Sequence, residues 1–233
     1  MPTRETVLVT GAAGRVAGLI APTLRAEFRL RLLDRVALGG VADDEVVRAD
    51  VRDVRALETA CSGVTALVHL AGQPAEASFR DVLLPENLDG TWAAYEAAVR
   101  SEVPRFVFAS TLQTVEGNPP GTLVSVDLPP RPSSVYGCTK LFGEALGRYH
   151  ADGSALGVAC LRIGAVRRAD DPSLASEETT AIWCGSIDLA RLIVAAIRSH
   201  APFATVIAVS PPATRRFETA NPFGWEPREE PAG

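Results

Sequence analysis

The sequence predicts a doubly wound α/β fold, a mostly parallel sheet of about seven strands with helices on both faces. Three observations lead there. Short apolar, often β-branched runs alternate with Ala/Leu-rich helical stretches from end to end. Several strand runs are apolar at consecutive positions, as strands covered on both faces require. A Gly-rich turn joins the first strand to the first helix.

Taken in order, the first strand is Val7–Thr10, ending at Gly11, and the helix Arg15–Glu27 follows its turn. Leu30–Leu33 is the second strand and Glu45–Val47 a short third, followed by the helix Val54–Cys61. Ala66–Leu70 is apolar on nearly every residue and precedes the helix Glu86–Arg100. Phe106–Ala109 leads into a proline-rich loop, Gly117–Ser134, holding Pro119, Pro120, Pro129, Pro130 and Pro132, and then the helix Val135–Tyr149. Val158–Ile163, the helix Ser186–Ser199 and the strand Val206–Val209 complete the set. Arg167–Thr180 is polar and acidic with no strand or helix periodicity, and Pro211–Gly233 reads as a trailing cap. Long loops inside a compact domain are more often functional than not. With no internal repeat and no low-complexity linker, residues 1–233 read as one domain. Its 1–164 part is mainly dinucleotide-binding; 165–233 is a small substrate-binding region with the last strand.

At 233 residues, 47% hydrophobic and 22% charged, the chain can bury a core without metal or disulfide staples. A net charge of −5 with no block of like charges excludes nucleic acid and anionic membrane as partners. Cys61, Cys138, Cys160 and Cys184 show no metal-ligand spacing, so they are expected to be buried free thiols in a reducing cytoplasm, and no metal site is expected. The first residues lack a signal-peptide run, and the longest aliphatic run, Leu192–Ile197, is far short of the ~20 residues that span a bilayer. The expected location is cytoplasmic. Trp92, Trp183 and Trp225 read as packing residues, with Trp183 alone in a segment able to line a pocket.

The turn Gly11-Ala12-Ala13-Gly14 opens the first βα unit. A pyrophosphate approaching there meets unpaired N–H groups of a helix start; Gly11 permits the tight turn and Gly14 removes a blocking Cβ. Ala17 takes the third glycine position, a permitted replacement. Asp34 follows Gly14 by 20 residues at a strand end, where a carboxylate receives the adenosine ribose hydroxyls. It also repels a 2′-phosphate, so NAD is expected over NADP, although Arg35 beside it suits a 2′-phosphate. Asp50 and Val51 are placed to flank the adenine.

Tyr136 and Lys140 are four residues apart, one turn on one helix face. A phenol with pKa about 10 is a poor base at neutral pH. One ammonium about 5 Å away at an effective dielectric of about 20 supplies roughly 3.3 kcal/mol, or about 2.4 pKa units, enough to make Tyr136 a usable proton acceptor.

TGAAG at 10–14, Asp34, HLAG at 69–72, Asn87-Leu88-Asp89-Gly90, RFVFAST at 105–111, Tyr136-x-x-x-Lys140 and LRIG at 161–164 occur in order over nearly the whole chain. Together they resemble the extended short-chain dehydrogenase/reductases, the NAD-dependent epimerase/dehydratase family. The resemblance implies a Rossmann-type sheet and a dinucleotide bound by Gly11, Ala13, Gly14, Arg15, Val16, Asp34, Arg35, Asp50, Val51, Leu70, Ala71, Gly72, Asn87, Tyr136, Lys140 and Ile163. It implies Thr111 hydrogen-bonding the reacting oxygen, Tyr136 as acid/base and Lys140 holding the nicotinamide ribose; Ser110 is the weaker candidate for the hydroxyl role. It also suggests a homodimer or higher homo-oligomer.

Within that family Ala109–Thr114, Arg131–Lys140, Leu161–Ala165 and Gly224–Pro227 are similar to strings of uronate dehydrogenases. Pro74, Thr111, Leu112, Gln113, Ala165, Glu178 and Trp183 are the implied substrate-binding positions. The Ser-Asn-His of those enzymes reads Thr111-Leu112-Gln113 here, a serine reads Ala165, and the arginine that grips the sugar carboxylate is replaced within Ser176–Thr180, at Glu178. Arg80, Arg167 and Arg168 are the alternative cations. The expected chemistry is NAD-linked hydride transfer with an alcohol or carbonyl that is not a simple hexuronate; because Leu112 and Ala165 remove donors to sugar hydroxyls, a less polar, neutral or cationic alcohol or ketone is expected. An epimerase or dehydratase that recycles its hydride, and a non-catalytic dinucleotide-binding protein, are the alternatives.

Overall fold

The computed structural model describes residues 4–39, 43–168, 171 and 176–229. Its centre is one parallel sheet built from β1 (Thr6–Thr10), β2 (Arg29–Asp34), β3 (Glu45–Arg48), β4 (Ala66–His69), β5 (Arg105–Thr111), β6 (Gly157–Ile163) and, after two short strands, β9 (Phe203–Ala208). The order is β3-β2-β1-β4-β5-β6-β9, so the winding direction reverses between β1 and β4. A crevice opens at such a reversal, outside the carboxyl ends of the strands, and ligands of doubly wound sheets bind there.

The helices α1 (Arg15–Glu27) and α6 (Ser186–Arg198) cover one face, packing Ile20, Leu24, Leu192 and Ile193 against Val7, Val9, Leu161 and Val206. On the other face α2 (Val54–Cys61) and α3 (Gly90–Arg100) pack Leu57, Ala94 and Ala98 against Leu8, Leu67 and Phe106, beside α4 (Val135–Gly153). These two layers explain the runs without alternation: Val7, Leu8 and Val9 alternate between two cores, both dry. Gly143 lets α4 lie close on β5, since a Cβ there would meet the Phe108 ring at 2.2 Å.

Three elements depart from expectation. The helix expected over Glu86–Arg100 begins earlier, as a π-type stretch Phe79–Asp89 that passes into α3 at Gly90. Pro85 inside it has no N–H to donate and crowds the carbonyl four residues back, which widens the ladder. The region expected to be irregular, Arg167–Thr180, holds α5 (Glu177–Thr180) and is flanked by β7 (Ala165–Arg167), which reaches into it at Arg167, and β8 (Trp183–Gly185); β7 pairs with β8 in a separate parallel ribbon. The remaining part of that region, 169–170 and 172–175, lies outside the described residues. Finally, the trailing segment clasps α6: the Asp188 carboxylate accepts from Arg228 N and Glu229 N at 2.8 Å, while Glu229 Oε2 accepts from Ile187 N at 3.0 Å.

Cys61, Cys160 and Cys184 are buried, whereas Cys138 on α4 is exposed, contrary to the expectation of four buried thiols. Trp183 and Trp225 are core residues, whereas Trp92, expected to pack, is 46% exposed. Among the described residues no helix is long and apolar enough to cross a membrane, and no cluster of His, Cys, Asp and Glu is arranged to hold a metal.

Candidate active site

The glycine turn sits at the reversal point. Gly11 has φ +70°, and a Cβ there would come within 2.7 Å of Ala71 N, so the turn after β1 nests against the loop after β4. Gly14 precedes the first turn of α1 and carries no capping side chain, leaving that helix start open toward the crevice. Ala13 N donates to Asp34 Oδ2 at 2.9 Å, and Val36 N donates to Asp34 Oδ1 at 3.0 Å. The carboxylate at the end of β2 is therefore fixed in orientation by the turn it serves.

A groove of about 280 Å³ runs from this turn between Asp34, Arg35, Asp50, Val51, Leu70, Ala71 and Gly72. Val36, Ala49, Arg52 and Glu86 also line it, and no motif in the sequence singles them out. Arg35, exposed and lining the groove, pairs with Glu86 at 3.0 Å, and Glu86 lines it too. Asp50 accepts from Arg52 Nε at 2.9 Å and Nη2 at 2.7 Å, and this bidentate contact draws its carboxyl down to about 2. Arg15 is exposed at the head of α1, Val16 packs against the core, and Ile163 belongs to the core at the end of β6.

Asn87 ties the groove to α4. Its Oδ1 accepts from Gln73 N at 2.7 Å, and its Nδ2 donates to Thr139 Oγ1 at 3.1 Å. It is 1% exposed, so it acts by holding the Leu70–Gln73 loop against α4. A Cβ on Gly72 would lie 3.0 Å from Asn87 Oδ1 and 3.7 Å from Lys140 Nζ, which places the ammonium at the inner end of the groove.

Thr111 ends β5, and Tyr136 and Lys140 lie on the first two turns of α4. Ser134 caps α4 by accepting from Gly137 N at 2.9 Å and donates to Gln113 Oε1 at 2.5 Å. Glu76, on the loop after β4, accepts from Tyr136 N at 3.0 Å, a contact with no signature in the sequence. Lys140 Nζ lies 5.8 Å from the Tyr136 ring centroid and 5.0 Å from that of Phe108. Burial pushes the Tyr136 phenol up to about 12, with the Thr111 hydroxyl pulling the other way, and draws Lys140 down to about 8. In this structure burial dominates the phenol and the Thr111 hydroxyl is the group that opposes it.

Behind this pair the stripe continues to Glu144. Its carboxylate accepts from Arg162 Nε at 3.0 Å and Nη2 at 2.8 Å, and from Ser110 Oγ at 2.5 Å, all buried. Ser110 thus turns toward α4 and the core, leaving Thr111 to face Tyr136.

The expected substrate positions are only partly assembled. Leu112 is 1% exposed and belongs to a third apolar cluster with Val115, Ile207 and Phe217, so it faces the core rather than a ligand. Trp183 is wholly buried, its indole N–H without a hydrogen-bond partner. The side-chain oxygen of Gln113 is committed to Ser134. Pro74 is exposed, Ala165 half-buried, and Glu178 exposed on α5. Glu178 lies close enough to Glu116 to add to the rise that burial imposes on that carboxyl, while Ser133 and Arg216 pull it back. Arg167 is engaged by its own strand, donating to the Val166 carbonyl at 2.8 Å.

The turn, the fixed carboxylate and the inner lysine fit a dinucleotide. The chain matches the model of the NAD dependent epimerase/dehydratase family over residues 7–167. It belongs to that family. It is 34% identical over 250 residues to an L-arabinose 1-dehydrogenase (NAD(P)(+)) of Haloferax volcanii, covering 97% of each chain. It is 34% identical over 225 residues to an NAD-dependent glucose-6-phosphate dehydrogenase of the same organism, covering 88% of this chain and 85% of that one. The crystal structure of uronate dehydrogenase from Agrobacterium tumefaciens superimposes with a TM-score of 0.88 at 30% identity, over 97% of this chain and 85% of that one. The family member described here has the Rossmann-like fold and is an NAD-dependent oxidoreductase.

Proposed function

We propose that this enzyme oxidises a hydroxyl of a small neutral polyol or aldose, or reduces the matching carbonyl, with Tyr136 as the proton acceptor or donor. The observation that carries the reading is the meeting of Thr111, Tyr136 and Lys140 at the inner end of the dinucleotide groove. Bound NAD supplies the hydride acceptor and, when oxidised, a cationic ring. Gly11, Ala13 and Gly14 would hold its pyrophosphate, Asp34 its adenosine ribose and Lys140 its nicotinamide ribose. Thr111 orients the reacting hydroxyl, and Tyr136 takes its proton as the carbon loses hydride. Lys140, charged below about pH 8, stabilises the phenolate so formed. Net hydride transfer is favoured over hydride recycling because relatives covering nearly the whole chain are dehydrogenases.

The substrate class follows from charge. A uronate carboxylate leaving water needs a cation or several donors, and an unpaired buried charge costs several kcal/mol. The side expected to provide that partner carries Glu116 and Glu178 instead, and Arg167 is turned to its own strand. The L-arabinose dehydrogenase relative acts on a sugar without a carboxylate. We place the enzyme in the cytoplasm as a homodimer or higher homo-oligomer; the exposed Trp92, Phe142 and Tyr149 on α3 and α4 support the association. A panel of neutral aldoses and hexuronates, followed by reduced-nicotinamide absorbance, tests the substrate class. Turnover of a neutral aldose with hexuronates at least about tenfold poorer in kcat/KM is expected; galacturonate or glucuronate at about 10⁴ M⁻¹s⁻¹ or higher overturns it.

A further inference from the structure

Five charged side chains line the dinucleotide groove: Asp34 and Arg35 where β2 ends, Asp50 and Arg52 after β3, and Glu86 from the π-type stretch. The two guanidiniums have different partners. Arg52 meets Asp50 bidentately, through Nε at 2.9 Å and Nη2 at 2.7 Å, two residues away in the chain. Arg35 Nη2 meets Glu86 Oε1 at 3.0 Å, across 51 residues of sequence. Asp34 accepts from the backbone N–H groups of Ala13 and Val36. The groove therefore carries three carboxylates against two guanidiniums, and each guanidinium already has a carboxylate on it. The same π-type stretch turns the neighbouring Asn87 inward, where it is buried against the loop at Gln73.

What these charges do to a dinucleotide depends on its 2′ position. With the adenosine ribose at Asp34, the adjacent cation is Arg35. A monoester phosphate carries about two negative charges at neutral pH. It would meet a guanidinium whose charge Glu86 offsets and, beside that, the Asp34 carboxylate. The 2′-hydroxyl of NAD has no charge for either carboxylate to oppose. A guanidinium without a partner presents planar donors and a full positive charge, which suits phosphate well.

We propose that Glu86 is a selectivity residue for the dinucleotide: by pairing with Arg35 on the groove wall it competes with a 2′-phosphate for that guanidinium, and so favours NAD over NADP. Glu86 acts through Arg35 and is a positioning residue. The inference rests on the placement of the adenosine ribose at Asp34 proposed above, and is independent of the redox substrate.

Isothermal titration with NAD and with NADP tests it, at one fixed ionic strength because salt screens exposed charges. The readout is the ratio of the NADP Kd to the NAD Kd in the unmodified protein, Glu86→Gln, Arg35→Gln and the double variant. Glu86→Gln keeps the side-chain shape and removes the charge; it should lower the ratio at least about fivefold by tightening NADP. In the Arg35→Gln background the same change should move the ratio less than about twofold, since the group it acts through is gone. Arg35 is exposed and Glu86 half-buried, so neither substitution opens the core. A smaller fall in Glu86→Gln, or one of about twofold or more that persists without Arg35, overturns the role of Glu86. Asp34→Ala, titrated in parallel, separates the two readings. If it leaves NAD affinity unaltered, the ribose placement fails and this inference with it. A lowered NAD affinity there, with an unmoved ratio in Glu86→Gln, sinks this inference alone.

Discussion

Asp34 is a single carboxylate whose orientation is set by its neighbours, and we propose that it sets cofactor choice. One oxygen accepts from the glycine turn and the other from its own loop, while the adjacent Arg35 pairs with Glu86 across the groove rim. The place of Asp34 beside the glycine turn was legible in the sequence from its distance to Gly14; the Arg35–Glu86 ion pair was not, because Glu86 is 51 residues distant and enters only through the π-type stretch. Asp34→Ala should lower NAD affinity roughly 10- to 100-fold, the range for hydrogen bonds to a charged group, and narrow the gap to NADP. Isothermal titration with both dinucleotides measures it. Tighter NADP than NAD binding by the unmodified protein would hand cofactor choice to Arg35 and Arg15.

At the scale of the element, α4 carries Tyr136, Lys140 and Glu144 on one face, at successive turns. The first two announce themselves by spacing. Glu144 does not, since its partners Arg162 and Ser110 come from β6 and β5 and the pairing exists only once the sheet has formed. Glu144 thus ties α4 to β6 through Arg162 and to β5, which carries Thr111, through Ser110. Glu144→Ala leaves Arg162 buried and uncompensated and should cost about 3–5 kcal/mol of stability, read from urea denaturation. A loss below about 1 kcal/mol, the range of exposed pairs, would show that the pair does not fasten the helix. The short strands β7 and β8 escaped detection for a related reason: three residues are too few to display a period.

Across the whole molecule, the runs covered on both faces made the parallel sheet readable, because burial of both sides leaves no alternation to interpret. The substrate side was less readable. Leu112 was expected at the ligand but lies in a core cluster, a choice made by β9 and the trailing segment packing around it. The buried His69 at the end of β4 links the fold to pH. Its ring bonds Thr10 Oγ1 at 2.9 Å, and burial, assisted by the nearby Lys140 charge, draws it from 6.5 down to about 3. Above about pH 6.5 the ring is neutral in both states. Between 6.5 and 3 the unfolded chain takes up a proton that the folded chain refuses, so stability falls as the solution is acidified through that window. His69→Asn should flatten this part of the stability–pH curve; an unchanged slope would assign the acid loss to other groups.

The central claim is that Tyr136 moves the proton in an NAD-linked hydride transfer. Its most direct test is kcat of Tyr136→Phe beside the unmodified enzyme, with the best neutral aldose of the panel and NAD affinity measured in parallel. A fall in kcat of about 10² or more, with NAD affinity kept within a few-fold, is the predicted result. A variant retaining more than about a tenth of the original kcat would contradict it.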